Sequence, residues 1–352
     1  MPPIRIALIG AGLIGRRHLD VILPDADYLA AGIADPAPAA EDFARQRGIP
    51  YFSDAEAMLD EVRPDGAIVA SPNQFHVAGA MACIARKVPV LVEKPLADSL
   101  AGALDLVAAA KAAGVPVLVG HHRRHNPILR KAAEVIRDGW LGRVAAVTCT
   151  WLSHKHDAYF DIAWRRQPGG GTALINGIHE IDCLRMLCGE IESIQAFVGH
   201  GVREFPVEDT AAAVIRFESG ALGTIIISDT VSTPWSWEWT SHENPNYPHE
   251  SQNSILVAGT KGSLAVPSLE YWWHEPGQGW LDPLTRRRIP IRPADAYVGQ
   301  MRNLAQVIRG LEDPVVSGEQ GLRTLAATLA IAESAAAGRP IRIDEMLERR
   351  NS

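Results

Sequence analysis

The hydrophobic pattern divides the chain into two regimes. Over the first third, short continuous apolar runs fall at Ile4–Ile9, Tyr28–Ala34, 66–70, 88–92 and 115–119. Runs of that length, bounded by turn residues, have the look of strands buried on both faces. Helical stretches lie between them at 37–47, 55–60, 74–86 and Leu100–Ala113, the last closed by Gly114 as a C-cap with Pro116 beyond it. Strict strand–helix alternation with short linkers predicts a parallel sheet with right-handed crossovers, and such sheets bind ligands at the carboxyl ends of their strands.

Near Gly120 the pattern changes. His121-His122-Arg123-Arg124-His125-Asn126-Pro127 reads as a polar hinge, followed by a helix over 129–138. From Val144 onward, alternating β-branched runs at 145–151, 194–198, 211–217, Leu222–Ser228 and 254–258 predict a largely antiparallel sheet with one face covered. Glu218-Ser219-Gly220 joins two of those runs as a hairpin. A helix at 172–187 crosses this region, and alanine-rich helices at 301–309 and 319–336 are expected to pack back on the domains. Residues 233–252 form a long loop rich in tryptophan, proline and asparagine, expected to serve as a lid or subunit arm unless it is mobile. The expected fold is therefore α/β: a doubly wound parallel sheet in residues 1–122, and an α+β domain in 123–352 with a large, mostly antiparallel sheet.

The first strand runs directly into Gly10-Ala11-Gly12-Leu13-Ile14-Gly15. Gly10 permits the tight turn, Gly12 keeps side-chain atoms away from a pyrophosphate, and Gly15 lets the next helix pack closely. That helix offers free N–H groups and a partial positive charge to phosphates. The second strand ends in Asp35, 20 residues past Gly15, where a dinucleotide fold places an acid on the ribose hydroxyls. Gly10, Gly12, Leu13, Ile14 and Asp35 are accordingly candidate cofactor-binding residues, the bland alternative being an ordinary βαβ unit with a glycine turn. Asp35 is followed by Pro36-Ala37-Pro38, with no Arg or Lys, so its carboxylate would repel a 2′-phosphate and favour NAD over NADP.

Composition narrows the classes. The chain has 352 residues, enough for two domains, with 47% hydrophobic and 21% charged residues. A net charge of −7 without a basic tract argues against nucleic acid or an acidic membrane surface as partner. Cys83, Cys149, Cys183 and Cys188 form no C-x-x-C pair, and the N-terminus lacks a secretory pattern, so reduced thiols in a cytoplasm are expected. No apolar run reaches membrane-spanning length. Trp151, Trp164, Trp235, Trp237, Trp239 and Trp280 fall in loop-like or polar surroundings, as in sugar sites or subunit contacts. His121, His122 and His125, and His154, His156 and Asp157, are small polar clusters without a further ligand at suggestive spacing, so cleft lining is expected and no metal.

The predicted strand ends carry Ser71-Pro72-Asn73 with His76, and Glu93-Lys94-Pro95. Asn73 could instead cap its helix, Lys94–Pro95 can be cis, and Glu93-Lys94 could be a surface salt bridge beside a turn. With Arg124-His125-Asn126-Pro127, Gly169-Gly170-Gly171, Gly177, His179, Asp182 and Glu208-Asp209-Thr210, these segments resemble the Gfo/Idh/MocA family of glucose–fructose oxidoreductases and inositol dehydrogenases, in the family's order and over most of the chain. The resemblance implies a Rossmann domain, a C-terminal domain whose sheet forms subunit contacts in a homodimer or homotetramer, and NAD(P)-dependent oxidation or reduction of sugars, cyclitols or related diols. It implies cofactor contacts from Ser71, Asn73, His76, Glu93 and Lys94. One departure stands out: many members carry an acid four residues before the histidine matching His179, where this chain has Ile175 followed by Asn176.

The chemistry follows from residue type. Lys94 at a strand end can stabilise an alkoxide, and His179 suits a base, since imidazole titrates near neutrality. The reaction is then expected where the two domains meet. The bland reading of His179 is a satisfied helix histidine. The triplet Gly169–Gly171 would let substrate or nicotinamide approach the backbone. Arg124, Tyr159, Trp164, Arg165, Asn176 and His179 are candidate substrate contacts, although Tyr159 and Trp164 could simply pack over the sheet. The expected activity is an NAD-dependent oxidoreductase of a sugar or polyol. The alternatives are a cofactor-binding regulator without turnover and a glycoside hydrolase using NAD transiently.

Overall fold

Six apolar strands of the first region pair into one parallel sheet in the computed structural model, which describes residues 2–349. The elements run β1 (Ile4–Ile9), α1 (Leu13–Ile22), β2 (Tyr28–Ala34), α2 (Pro38–Gln46), β3 (Tyr51–Phe52), α3 (Ala55–Val62), β4 (Gly66–Val69), α4 (His76–Ala85), β5 (Val90–Val92), α5 (Leu100–Ala113) and β6 (Val117–Val119). Strand order is β3-β2-β1-β4-β5-β6, the order of a doubly wound sheet with its reversal beside β1. Ile68, Val69, Val90 and Leu91 have no exposed surface, which is why these runs are apolar without alternation. Asp54 and Ser99 cap α3 and α5, and Gly114 closes α5 at φ +64°.

The chain beyond this sheet continues through α6 (Pro127–Arg137), β7 (Val144–Leu152), α7 (Ile178–Cys188), β8 (Ile191–Gly199), β9 (Thr210–Phe217), β10 (Leu222–Ser228), α8 (Trp237–Thr240), β11 (Ile255–Gly259), β12 (Ser263–Val266), β13 (Glu270–Trp273) and β14 (Thr285–Arg288). It ends with α9 (Ala296–Ile308), α10 (Gly318–Ala337), β15 (Ile341–Arg342) and α11 (Ile343–Glu348). Two units result: one takes the residues up to His122 with Ala296–Leu325, the other Arg123–Asp295 with the residues from Ala326 on. Within the first, Met301, Leu304, Ala305 and Val307 of α9 join Ile4, Ile6 and Leu8 in the core.

The second unit holds a nine-stranded sheet in the order β14-β13-β12-β11-β7-β10-β9-β8-β15. Only β7 and β10 pair parallel. Helices α6 and α7 pack on β12 and β7. The other face leaves Phe197, Val214, Leu222 and Ile226 exposed on the adjacent strands β8, β9 and β10, and Leu256 exposed on β11 across β7. The hairpin at Glu218–Gly220 is as expected, closed by Gly220 N–H donating to the Phe217 carbonyl at 2.9 Å.

Several elements depart from the sequence reading. The sequence reading places no strand at β3, β12, β13, β14 or β15, each only two to four residues long. The helix expected over 74–86 opens as a 3-10 turn, Asn73–Phe75, before α4, and the one over 172–187 opens as a π turn, Ala173–Gly177, before α7. Tryptophans 151 and 237, expected in loop-like or polar surroundings, are 3% and 1% exposed. Trp237 thereby anchors the first half of the long loop, which is no free arm there. No helix among the described residues is long and apolar enough to cross a membrane.

Candidate active site

In the first unit, the candidate residues stand at the carboxyl ends of neighbouring strands: Gly10–Gly12 after β1, Asp35 after β2, Ser71 after β4 and Lys94 after β5. Gly10 sits at φ +96°, and a Cβ there would lie 2.5 Å from the Ser71 backbone nitrogen. A Cβ on Gly15 would collide with the Gly10 carbonyl, whereas one on Gly12 would meet open space. The turn is thus closed on the protein side and open outward at Gly12, beside the exposed Leu13 and Ile14. Asp35 is locked, its Oδ2 accepting from Ala11 N–H at 2.7 Å and its Oδ1 from Ala37 N–H at 2.8 Å. Each oxygen keeps further acceptor capacity. A cation does reach this segment, contrary to the reading of the local sequence: Arg16 Nη2 lies 3.5 Å from the Ala39 carbonyl, with its guanidinium 4.3 Å above the Phe43 ring.

Glu93 lies under Lys94, 6% exposed. Burial pushes its carboxyl upward, but His18, with lesser help from His122 and Lys94, holds it below the ordinary value. His18 Nε2 and Glu93 Oε1 are 2.7 Å apart, and Glu93 Oε2 accepts the Lys94 backbone N–H at 3.2 Å. Glu93 is thus a buried support for the Lys94 backbone. The His76 ring lies between two loops, its Nδ1 2.7 Å from the Pro95 carbonyl and its Nε2 2.8 Å from the Ser71 carbonyl, and in its neutral form it donates to one of the two. Burial lowers its pKa despite those two carbonyls. Asn73 does not cap α4, whose N-cap is Phe75. The Ser71 hydroxyl oxygen is buried without a partner among the described residues, a group that asks for a ligand. The Lys94–Pro95 bond is cis.

In the second unit, α7 carries His179, Glu180, Asp182 and Arg185, all buried. Arg123 donates to Glu180 Oε1 at 2.6 Å and to Glu238 Oε1 at 2.8 Å, and lies 4.0 Å from Glu243. Trp151 and Trp237 donate their indole N–H groups to Glu238 and Glu243, each at 2.8 Å. Arg124 makes a bidentate pair with Asp182, both bonds 2.8 Å. That pair fixes Nε and Nη2 of its guanidinium on the protein.

Asn176 Oδ1 accepts from Lys155 Nζ at 2.7 Å. Tyr159 lies under two cations, with Lys155 Nζ 4.7 Å and the Arg165 Cζ 3.9 Å from its ring centroid. Trp164 is 48% exposed. The glycine triplet is less open than expected: a Cβ on Gly170 would strike the Trp164 carbonyl and one on Gly171 the Glu208 carboxylate, leaving only Gly169 open. His156 Nδ1 accepts from Tyr159 N–H at 3.1 Å. No group of three or more His, Cys, Asp or Glu among the described residues is placed to hold a metal ion. The four cysteines are free and buried, and burial pushes the Cys83 and Cys188 thiols up to about 12.

Comparison with known proteins agrees with this geometry. Residues 4–121 match the model of the oxidoreductase family with an NAD-binding Rossmann fold, and residues 129–265 match the GFO/IDH/MocA C-terminal domain. The chain belongs to the Gfo/Idh/MocA oxidoreductase family. Among its relatives, 1,5-anhydro-D-fructose reductase of Ensifer adhaerens is 26% identical over 97% of this chain and 98% of its own. Myo-inositol 2-dehydrogenase of Thermotoga maritima is 25% identical over 97% of this chain and 99% of its own. The crystal structure of the WlbA dehydrogenase from Bordetella pertussis, in complex with NADH and UDP-GlcNAcA, superposes with a TM-score of 0.78 at 26% identity, covering 97% of this chain and 98% of that one.

This Gfo/Idh/MocA chain holds functional candidates that its motifs do not mark: Lys155, the Arg123–Glu238–Glu243 cluster, and Glu180 beside His179. Glu180 is pushed up to about 7 by burial, with Arg123 pulling it down and Glu238 adding repulsion. An acid whose pKa rises on folding holds its proton in the native state after the unfolded chain has lost it. The contribution of Glu180 to stability should therefore be fully present below about pH 4.5, be lost as pH rises from 4.5 toward 7, and change no further above. Glu180→Gln keeps an acceptor for Arg123 and should flatten that slope. Denaturant unfolding followed by tryptophan fluorescence between pH 4.5 and 8 checks this; an unchanged slope in the variant refutes the assignment.

Proposed function

We propose that this enzyme transfers hydride between NAD and a secondary alcohol of a sugar, cyclitol or related polyol. The observation that carries the reading is the row of strand ends β2, β1, β4 and β5, bearing Asp35, Gly12, Ser71 and Lys94. The residues fit a dinucleotide: Gly12 is open where a Cβ would stand, Leu13 and Ile14 are exposed beside it, and the Ser71 hydroxyl is buried without a partner among the described residues. In this reading Gly10, Gly12, Leu13, Ile14, Asp35, Ser71 and Asn73 hold the cofactor, and the second unit holds the substrate. The reductase and dehydrogenase names of the relatives support the substrate class.

When bound, nicotinamide supplies the hydride acceptor or donor. The chain supplies the rest. Oxidation of a secondary alcohol releases a proton from oxygen and develops charge there. The Lys94 ammonium donates to that oxygen and holds the charge, seated on the buried Glu93–His18 pair. The His179 imidazole takes the proton and returns it in the reverse direction. Lys94→Ala should lower turnover about 100-fold or more with NAD affinity little changed. His179→Ala should also slow turnover, with partial recovery at high pH, where hydroxide replaces the base. Turnover and NAD titrations of both variants check this. Near-normal turnover of Lys94→Ala sinks the mechanism. A regulator without turnover, or a hydrolase using NAD transiently, would produce no net nicotinamide absorbance change.

NAD is the proposed cofactor over NADP, because the Asp35 carboxylate, fixed by Ala11 and Ala37, repels a 2′-phosphate. Asp35→Ser with Pro36→Arg should move preference toward NADP, reinforced by the nearby Arg16. Direct titration of both dinucleotides decides it, and tighter NADP binding by the wild-type protein overturns it.

The exposed apolar row Phe197, Val214, Leu222, Ile226 and Leu256 is proposed to meet a second copy of the chain, giving a homodimer or homotetramer. Light scattering should give a mass of two or four chains at micromolar concentration, and a monomer there refutes it.

A further inference from the structure

We infer that the substrate carries a carboxylate, held in the second unit by Asn176, Lys155 and Arg165. The inference rests on the proposal that the second unit holds the substrate, and it narrows that substrate to a sugar or cyclitol acid.

Lys155 follows β7, and its Nζ donates to Asn176 Oδ1 at 2.7 Å. An ammonium has donors only, so the oxygen of the Asn176 amide must face it. That fixes the amide's orientation and presents Nδ2 outward. No described residue accepts a hydrogen bond from Nδ2. Relatives with an acid one residue earlier, where this chain has Ile175, would accept a proton from a substrate hydroxyl. This chain presents a donor three residues before His179, with a cation behind it.

A second donor stands nearby. The Arg165 guanidinium lies 3.9 Å from the Tyr159 ring centroid, and its Nη1 donates to the Tyr159 carbonyl at 2.7 Å. Its Nε is buried with no acceptor, and Arg165 makes no ion pair among the described residues. A buried donor left unpaired is destabilising, so its retention points to a partner that arrives with a ligand.

The nearby acid does not fill this need. Asp229 Oδ2 is 3.5 Å from Lys155, but Oδ1 accepts from Arg203 Nε at 2.9 Å, so this one carboxylate serves two cations. Arg165 keeps no counter-charge. A neutral hydroxyl would satisfy a donor without balancing that charge. A carboxylate does both, and charge-assisted bonds of this kind are about twice as strong as neutral ones.

The test uses calorimetry on the whole protein with NAD⁺ present. Acids are D-glucuronate, D-galacturonate, D-gluconate and UDP-glucuronate; neutral counterparts are D-glucose, D-galactose, myo-inositol and UDP-glucose. At least one acid should bind roughly tenfold or more tightly than its counterpart. UDP-glucuronate binding alone would assign the carboxylate to a nucleotide-linked sugar, and binding of the free acids to a monosaccharide. Asn176→Asp keeps the Lys155 partner but exchanges the donor for an acceptor; it and Arg165→Gln should each weaken acid binding more than neutral binding. Equal binding of acids and neutral sugars, no acid binding, or equal losses in both classes would overturn the inference. Nicotinamide absorbance in the same samples separates the two readings. Acid-selective binding without absorbance change removes the dehydrogenase proposal alone, and turnover of neutral sugars without acid preference removes this one alone.

Discussion

One guanidinium organises the second unit. Arg123 is 5% exposed and faces Glu180, Glu238 and Glu243. An unpaired charge in that position would be prohibitively expensive, so the carboxylates, the two indoles and Asn126 must close around it together. The polar segment before α6, helix α7, strand β7 and the aromatic loop are thereby fixed to one point. Removing one partner from such a cluster typically costs about 3–5 kcal/mol, more than most single core contacts. Arg124 and Asp182 repeat the device one residue past Arg123 and two past Glu180, which sets the rotation of α7 and with it the direction of His179.

The first unit uses the same logic on a smaller scale. His18 and Glu93 form a buried pair, and Tyr297 lies edge-on to His18 and stacked on His122. Lys94 hangs from Glu93 through its backbone N–H. In both units, then, a proposed reacting residue is the sequence neighbour of a buried acid whose own partner is fixed. The acids do no chemistry in this arrangement. They hold the backbone that presents their neighbours, which is how a site keeps its geometry without spending its reactive groups on packing.

Legibility followed distance along the chain. Strands β1, β2 and β10 and helix α5 were readable to the residue, because each has enough residues for burial to leave an unbroken apolar run or a period. Gly10, Gly12, Gly15 and Asp35 were readable because their geometry is local and their spacing short. The ion clusters were not: Arg123 and Glu238 are 115 residues apart, and Asn126 and Glu243 are 117 apart. Nothing in composition or period marks such pairs. His76 and Arg124 show the converse. Their motifs were visible, but whether a polar side chain faces a ligand or another part of the protein depends on contacts that no local pattern encodes. Strand β14 was hidden for another reason: it reads Thr-Arg-Arg-Arg, and its apolar support comes from rings below, with Arg287 4.3 Å from Trp140 and Arg286 5.1 Å from Trp272.

That arginine strand has a consequence for how the protein behaves at high concentration. It is one outer edge of the nine-stranded sheet, and β15, two residues long, is the other. A sheet edge is a template on which a foreign strand can add. Here one template carries like charges that repel a cationic copy of itself, and the other is too short to seat a strand. An apolar sheet face can then be kept open for specific association, while runaway growth along the backbone ladder is blocked at both ends.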